Sequence, residues 1–390
     1  MENNRTFLEK LLDGAEVEWR TLGEVSELRN TGVDKKINES EKSVRLLNFT
    51  DVFNNQYLSN STPTMIVTAS DKKIIDCNIL KGDLFITPTS EILDEIGQSA
   101  VALENIDNAV YSYHIMRIRI HDTNFLLPEF LNYLFRTSQI KQQIRKNAQG
   151  ITRFGLTLPR WKSLVIPIPP LSVQTEIVKI LDALTALTSE LTSELTLRRK
   201  QYEYYREKLL SFDSLEQLNM GGAKKKLIDV CINIFSGKNK ERNDSGLYPI
   251  YGSTGIIGKT NKKEFSNEQI LVARVGANAG YVHIAQGEYD VSDNTLIIQH
   301  NKNIDLKFLY HTLVNMKLNQ YAKGAGQPLI TAGQLKLMEI NVPPLEEQQR
   351  IVSILDKFET LTNSITEGLP LAIEQSQKRY EYYRELLLSF

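Results

Sequence analysis

The residue types that build metal centres and nucleophilic sites are sparse in this chain. His114, His121, His283, His300 and His311 show no metal-ligand spacing. Cys77 and Cys231 stand far apart and read as reduced, structural residues of a cytoplasmic protein. The run Ser253-Thr254-Gly255-Ile256-Ile257-Gly258-Lys259-Thr260 approaches a phosphate-binding loop, but Ser253 stands where that loop needs its first glycine. It reads instead as a glycine-rich, exposed hairpin loop. The dinucleotide fingerprint, a methyltransferase motif and a serine nucleophile elbow are all missing. Asp290 and Asp293 read as solvated surface acids. What remains is binding chemistry. Arg and Gln read guanine and adenine edges in pairs of hydrogen bonds, and lysines sit on phosphates. Candidates for DNA contact are Lys35, Lys36, Lys72, Lys73, Thr152 and Arg153 in the first half of the chain. In the second half they are Lys238, Lys240, Arg242, Tyr251, Ser253, Thr254, Lys259, Arg274, Asn278 and Gln327, with Lys262 and Lys263 beside them. Any one of these taken alone reads more readily as a solvated surface charge; the case rests on recurrence in two matched places.

The elements that must position them come from a repeat. A segment opening Pro169-Pro170-Leu171 and ending Leu209-Leu210-Ser211-Phe212 recurs from Pro343-Pro344-Leu345 to Leu387-Leu388-Ser389-Phe390. Ile180-Leu181-Asp182 returns as Ile354-Leu355-Asp356, and Tyr202-Glu203-Tyr204-Tyr205-Arg206-Glu207 as Tyr380-Glu381-Tyr382-Tyr383-Arg384-Glu385. In the first copy Ile177, Leu181, Leu184, Leu191, Leu195, Tyr202, Tyr205, Leu209 and Phe212 fall on a coiled-coil seam, which predicts a helix from about Ser172 to Phe212. In the second copy Ile351, Leu355, Phe358, Ile365, Tyr380, Tyr383 and Leu387 carry the seam. An insertion there, with Gly368 and Pro370, predicts a kink or break. The two copies are each other's expected partners. Tyr204 and Tyr382 fall off the seam and, with Arg206 and Arg384, are candidates for contact with another subunit.

The remaining sequence forms two related blocks. Strands are expected at Val44–Phe49, Thr64–Thr68, Leu84–Thr87, Ser99–Leu103 and Ile115–Ile120, and then at Leu247–Tyr251, Gln269–Val275, Gly280–Ala285 and Thr295–Gln299. Helices are expected at Pro128–Arg136 and Leu306–Asn315. Gly150 to Leu171 aligns without gaps on Gly324 to Leu345, with Thr157 opposite Thr331. Glu9-Lys10-Leu11-Leu12 echoes Glu207-Lys208-Leu209-Leu210, which suggests that the start of the chain sits where a long helix ends. The fold class is α+β: two α/β blocks alternating with two long helices paired as an antiparallel coiled coil, a pseudo-twofold internal repeat. The domains are 1–167, 168–212, 213–342 and 343–390. A net charge of −1 neither demands nor forbids a nucleic-acid partner. No stretch reads as a membrane span or a signal peptide.

With those motifs in place, the chain resembles the specificity subunit of type I restriction–modification systems over nearly its whole length. The long repeats carry the resemblance, together with Tyr251-Gly252-Ser253-Thr254-Gly255, Ala273-Arg274-Val275-Gly276-Ala277-Asn278-Ala279-Gly280 and Ser292-Asp293-Asn294-Thr295. The resemblance implies that each block is a target-recognition domain reading half of a split double-stranded DNA site. It implies that the helices act as a spacer setting the gap and dock two methylation subunits, which bind S-adenosylmethionine. Restriction and translocase subunits would join that core. The chain itself would be non-catalytic and bind no cofactor. The reading from residues alone leaves a second class open, a coiled-coil adaptor whose globular blocks bind proteins.

Overall fold

The computed structural model describes residues 7–211, 223–241, 243–324 and 326–390. The chain divides into two compact units, one of residues 1–190 and 374–390, the other of residues 191–373.

In the first unit, strands Ser26–Arg29, Met116–Ile120, Leu84–Ile86, Ser99–Ala102 and Tyr57–Leu58 form a sheet in that spatial order, and Met65–Ala69, Lys42–Leu47 and Ala109–Tyr111 form a second. Central strands are apolar on both faces and serve two cores by alternation. Leu84, Ile86 and Val101 enter the core that also holds Trp161, Ile177 and Leu181. Phe85, Ala100 and Ala102 enter a core with Val44, Leu46 and Tyr111.

The second unit repeats this plan in reduced form. Its main sheet runs Cys231–Ser236, Thr295–His300, Gln269–Ala273 and Val282–Ala285, and its smaller sheet Gly255–Thr260, Tyr248–Gly252 and Asp290–Val291. Ile270, Val272, Leu296 and Ile298 face one core, whereas Leu271 and Ile297 face the other. In each unit a parallel pair marks the same place, Lys42–Leu47 with Ala109–Tyr111 and Tyr248–Gly252 with Asp290–Val291. The run Ser253–Thr260 is therefore not one loop. Gly255–Thr260 is the second strand of a hairpin whose turn is Ser253-Thr254. Its backbone is spent on the sheet and cannot cradle phosphate. Asp290 is also not a solvated acid: it is buried and accepts from the Asn239 side-chain amide at 2.7 Å.

The helix Leu171–Leu210 contributes to both units, and so does Leu369–Leu387, which crosses from one to the other after Ile373. The returning segment is broken into Leu345–Asn363 and Leu369–Leu387. Gly368 has φ +83°, and a Cβ there would lie 2.6 Å from the Thr360 carbonyl oxygen, so the first helix ends against glycine. Ile365 consequently leaves the seam: it lies in the connection, 79% exposed.

Within the second unit the helices run antiparallel. Tyr202 and Tyr205 both stack on Phe358, with centroids 6.2 and 5.6 Å apart, and Arg199 reaches the Thr362 carbonyl at 3.4 Å. Within the first unit, Thr188 and Ser376 share a 2.8 Å hydrogen bond. Ile177, Leu181 and Leu387 are fully buried in its core, and Tyr380 packs against that core. Ile351 and Leu355 are fully buried in the second unit, with Leu209 packed beside them. Leu184, Leu191, Leu195 and Tyr380 are half-buried, and Tyr383 is at the edge of exposure. Phe212 lies outside the described residues. The short helix Phe7–Leu12 places Leu8 in the core that holds Leu387 and Leu388, the end of the last helix.

Candidate nucleic-acid interface

Two polar residues explain why each unit sits on its helix as it does. Gln174, one turn inside the long helix, is fully buried. Its Oε1 accepts from the Leu127 N–H at 2.9 Å, and its Nε2 donates to the Phe125 and Pro169 carbonyls at 2.9 and 2.8 Å. Gln348 repeats the arrangement, accepting from Asp305 N–H and donating to the Pro343 carbonyl, both at 2.7 Å. Each clamp ties the proline-marked helix start to the loop before Pro128–Leu134 or Leu306–Asn315. A glutamine suits the task because its amide offers both an acceptor and donors to backbone groups that burial would leave unpaired.

Two turns further on, the aspartate of Ile-Leu-Asp makes the next fastening. Asp182 accepts from the Tyr57 and Tyr133 hydroxyls at 2.5 and 2.6 Å. Asp356 accepts from His311 Nε2 at 3.0 Å and from the Lys307 ammonium. Glu359 stands 4.0 Å from the same imidazole. His311, Asp356 and Glu359 are grouped closely enough to hold a cation. The Lys307 ammonium on Asp356 supplies the positive charge there, so the group serves as a fastening.

Beyond these anchors, equivalent loops emerge from the two units. Residues 149–155 close through reciprocal 2.9 Å backbone bonds between Gln149 and Gly155, and residues 323–329 through the pair Lys323 and Leu329 at 3.0 and 2.9 Å. Gly150 at φ +133° and Gly324 at φ +112° make the same turn. Thr157 and Thr331 stand at the N-cap of the helices that follow, and Thr331 Oγ1 accepts from the Gln334 N–H at 3.2 Å.

In the first unit this loop carries Thr152 and Arg153, both exposed. Arg153 Nε donates to Thr89 Oγ1 at 3.0 Å. Arg153 and His114 share a cleft of about 400 Å³ with Phe49 and Ile92. Burial lowers the His114 pKa, and Lys35 and Arg153 lower it further, so Lys35 belongs to the same surface. Lys36 pairs with Asp34 at 3.1 Å, and Lys73 donates to the Gly32 carbonyl at 3.2 Å. Lys72 is exposed beside it.

In the second unit, Lys238 and Lys240 border a cleft of about 680 Å³ with Lys262, Phe265 and Asp290. Arg274 donates from its backbone to the Asn294 carbonyl at 3.0 Å, and its guanidinium reaches Ser236 Oγ at 3.5 Å. Ser253 Oγ meets the same Asn294 carbonyl at 3.4 Å. The Gln327 loop joins this group because Ile330 N–H bonds the Arg274 carbonyl and Gly276 N–H bonds the Pro328 carbonyl, both at 2.9 Å. Thr254, Lys259, Asn278 and Gln327 are exposed. Tyr251 is half-buried, 5.3 Å from Tyr289 and stacked 6.1 Å from His283. Burial takes the His283 pKa down to about 4 and the Cys231 thiol up to about 12, which leaves both neutral and unreactive. Arg242 lies outside the described residues.

The off-seam tyrosines are the most exposed aromatics of the helices, Tyr204 at 56% and Tyr382 at 63%. Each meets its neighbour edge-on, Tyr205 at 5.4 Å and Tyr383 at 5.3 Å. Arg206 lies over Tyr202 and Arg384 over Tyr380 at 5.1 and 5.5 Å. Gln174 and Gln348 occupy equivalent positions after Pro169-Pro170-Leu171 and Pro343-Pro344-Leu345, and only the structure reveals their bonds. Tyr113 and His114 carried no signal as site residues, since a lone exposed polar side chain is ordinary, and Asn294 entered only as part of the stretch Ser292-Asp293-Asn294-Thr295.

Residues 15–198 and 222–375 each match the family described as type I restriction modification DNA specificity domain. The chain is 39% identical to a putative type I restriction enzyme specificity subunit of Haemophilus influenzae, covering 100% of both chains. It is 32% identical to the specificity subunit of the type I restriction enzyme EcoprrI of Escherichia coli, over 93% of this chain and 92% of that one. The fold matches the crystal structure of a type I restriction–modification S subunit from M. genitalium, with TM-score 0.57 and 16% identity, over 100% and 98% of the two chains. It also matches an HsdS subunit from Thermoanaerobacter tengcongensis, with TM-score 0.53 and 19% identity, over 96% and 95%.

Proposed function

The chain belongs to the type I restriction–modification DNA specificity family, and from that membership we propose how its parts divide the work. It is a specificity subunit, the non-catalytic part of a type I complex that recognises the DNA target. Each unit reads one half of a split double-stranded site. The reading surface of the first is the group around Lys35, His114 and Arg153, and that of the second is the group around Ser253, Arg274 and the Gln327 loop. Lysines on the flanking segments hold phosphates and fix register. The paired helices set the gap between the half-sites. Through Tyr204, Tyr382 and the arginines beside their neighbours, they dock two methylation subunits that bind S-adenosylmethionine, with restriction and translocase subunits joining that core in the cytoplasm.

The observation that best supports this is the repetition itself. Two units keep the same clamps, the same loop closure and the same parallel strand pair, yet present different polar side chains at the equivalent surface. Two half-sites multiply discrimination, because each mismatched base pair costs about 1–3 kcal/mol. Modified-base sequencing of host DNA, with and without this chain, is the test. Loss of N6-methyladenine at one motif of two short halves around an undefined gap is the expected result. A stable complex with another class of protein, no methylation subunit and no salt-sensitive DNA binding would favour the adaptor reading.

A further inference from the structure

Both units contain one small backbone frame that neither helix nor loop repeat disclosed. In the first, Ser112 is fully buried and pairs in parallel with Val33. Its N–H bonds the Leu47 carbonyl at 2.8 Å, its carbonyl accepts from Ile115 N–H at 3.2 Å, and its Oγ accepts from His114 N–H at 3.2 Å. Val33 N–H reaches the Tyr111 carbonyl at 2.9 Å, and Tyr113 N–H reaches the Val33 carbonyl at 3.3 Å.

In the second unit Ser292 is fully buried and pairs in parallel with Asn239. Its N–H bonds the Tyr251 carbonyl at 2.9 Å, its carbonyl accepts from Thr295 N–H at 3.1 Å, and its Oγ accepts from Asn294 N–H at 3.3 Å. Asn239 N–H reaches the Val291 carbonyl at 3.0 Å, and Asp293 N–H reaches the Asn239 carbonyl at 3.1 Å. Every bond of the first frame has its counterpart.

The buried serine thus fixes a turn that presents its next two side chains, of which Asp293 alone is half-buried and accepts from Ser292 Oγ at 3.4 Å. They are Tyr113 and His114 in one unit and Asp293 and Asn294 in the other. Tyr113 is 47% exposed, and its ring lies 3.9 Å from that of His114. The side chains of Tyr113, His114 and Asn294 make no hydrogen bond among the described residues. The turn also sits inside the charged groups already described, with Arg153 beside His114 in one cleft and with Arg274 and Ser253 bonded to the Asn294 carbonyl. A rigid frame with interchangeable donors and acceptors, uncommitted at Tyr113, His114 and Asn294 and set beside an arginine in each unit, is what base readout requires.

The geometry points to these turns as specificity-determining positions: Tyr113 and His114 select a base pair in one half-site, and Asp293 and Asn294 select one in the other. This rests on the reading of each unit as a half-site reader. The chemistry assigns base classes. Asn294 offers an acceptor and a donor together, the pattern that pairs with adenine in the major groove, and Asp293 accepts from cytosine. Partial burial, then Lys35 and Arg153, lower the His114 pKa against the opposing Asp34, and the neutral ring they favour offers one donor and one acceptor.

The experiment compares methylated motifs by modified-base sequencing in hosts whose only copy of this chain carries Tyr113→Ala with His114→Ala, Asp293→Ala with Asn294→Ala, or the milder His114→Gln and Asn294→Gln. The expected result is that discrimination at one base pair falls about 5- to 150-fold. The relaxed position lies in one half-site for the first turn and in the other half-site for the second, with the gap unchanged. An unchanged motif at unchanged occupancy overturns the assignment while leaving the half-site reading intact. So does a change in both halves from one turn, or loss of all methylation in the glutamine variants as well, since the turn would then act structurally. If host methylation does not depend on this chain at all, the half-site reading fails and the assignment falls with it.

Discussion

In the first unit the aspartate of the Ile-Leu-Asp repeat accepts from two phenols, Tyr57 and Tyr133; in the second its counterpart faces Lys307 and His311. The glutamine clamps differ too, with three backbone partners for Gln174 and two for Gln348. The lesson is that the frame tolerates a change of partner wherever the helix supplies the same acceptor. A carboxylate binds a phenol, an ammonium or an imidazole equally well in geometry, but the free energies and pH responses differ.

That comparison can be broken at the clamps first. Gln174→Ala is expected to destabilise the first unit by about 3–4 kcal/mol, because buried backbone groups lose their partners, and Gln348→Ala to destabilise the second by about 2–3 kcal/mol. Trp19 and Trp161 both belong to the first unit, so their fluorescence during urea unfolding follows that unit, and amide hydrogen exchange follows the other. Equal losses would show that the extra bond of Gln174 contributes nothing.

The fastenings come next. Asp182→Ala strands two phenols and is expected to cost about 2–3 kcal/mol. Asp356→Ala is expected to cost about 1–2 kcal/mol, since Asp356 is 29% and Lys307 52% exposed and solvent screens their attraction. Their pH dependence sharpens the contrast. Burial raises the Asp356 pKa, but the hydrogen bonds from Lys307 and His311 outweigh it and hold the carboxyl below its ordinary value. Its stabilisation is therefore present above the ordinary carboxylate range of about 4 and is lost as pH falls through the depressed folded value. Burial, then the bond to Asp182, raises both phenols. Their contribution is present below about pH 10 and is lost as pH rises through the folded values. Hydrogen exchange of the second unit below pH 4 is expected to lose its pH response at residues 306–315 when Asp356 is replaced by Asn.

The smallest effect on stability belongs to the exposed pair. Tyr204→Ala and Tyr382→Ala are expected to shift unfolding by under about 0.5 kcal/mol. Each is also expected to weaken co-purification with a methylation subunit. Loss of stability without loss of the complex would return both tyrosines to a packing role.

Much of this frame is legible in the sequence. Leu84, Ser99, Gln269 and Thr295 open strands where β-branched and apolar runs place them, and Leu306–Asn315 forms as its periodicity requires. The helix Ser138–Asn147 escaped because only Ile140 and Ile144 are buried on a face otherwise polar, and its counterpart in the second unit is the short turn Leu318–Tyr321. Ile365 leaves the seam because periodicity continues numerically across a segment where the helix is interrupted between Asn363 and Leu369, with Gly368 in the left-handed region. The serine frames were illegible for another reason. Tyr111-Ser112-Tyr113-His114 and Val291-Ser292-Asp293-Asn294 share one residue in four. Their likeness lies in backbone hydrogen bonds to strands far away in sequence, which no local pattern encodes.

The division of the chain carries a consequence for synthesis. The second unit is one uninterrupted stretch, residues 191–373, whereas the first needs residues 374–390 to complete it. Leu387 and Leu388 are fully enclosed in the core that begins with Leu8. A nascent chain leaving the ribosome therefore has everything required to close its second half while the core of its first half still lacks a wall. The unit translated earlier is the one that waits, with its apolar face open until the final helix is released.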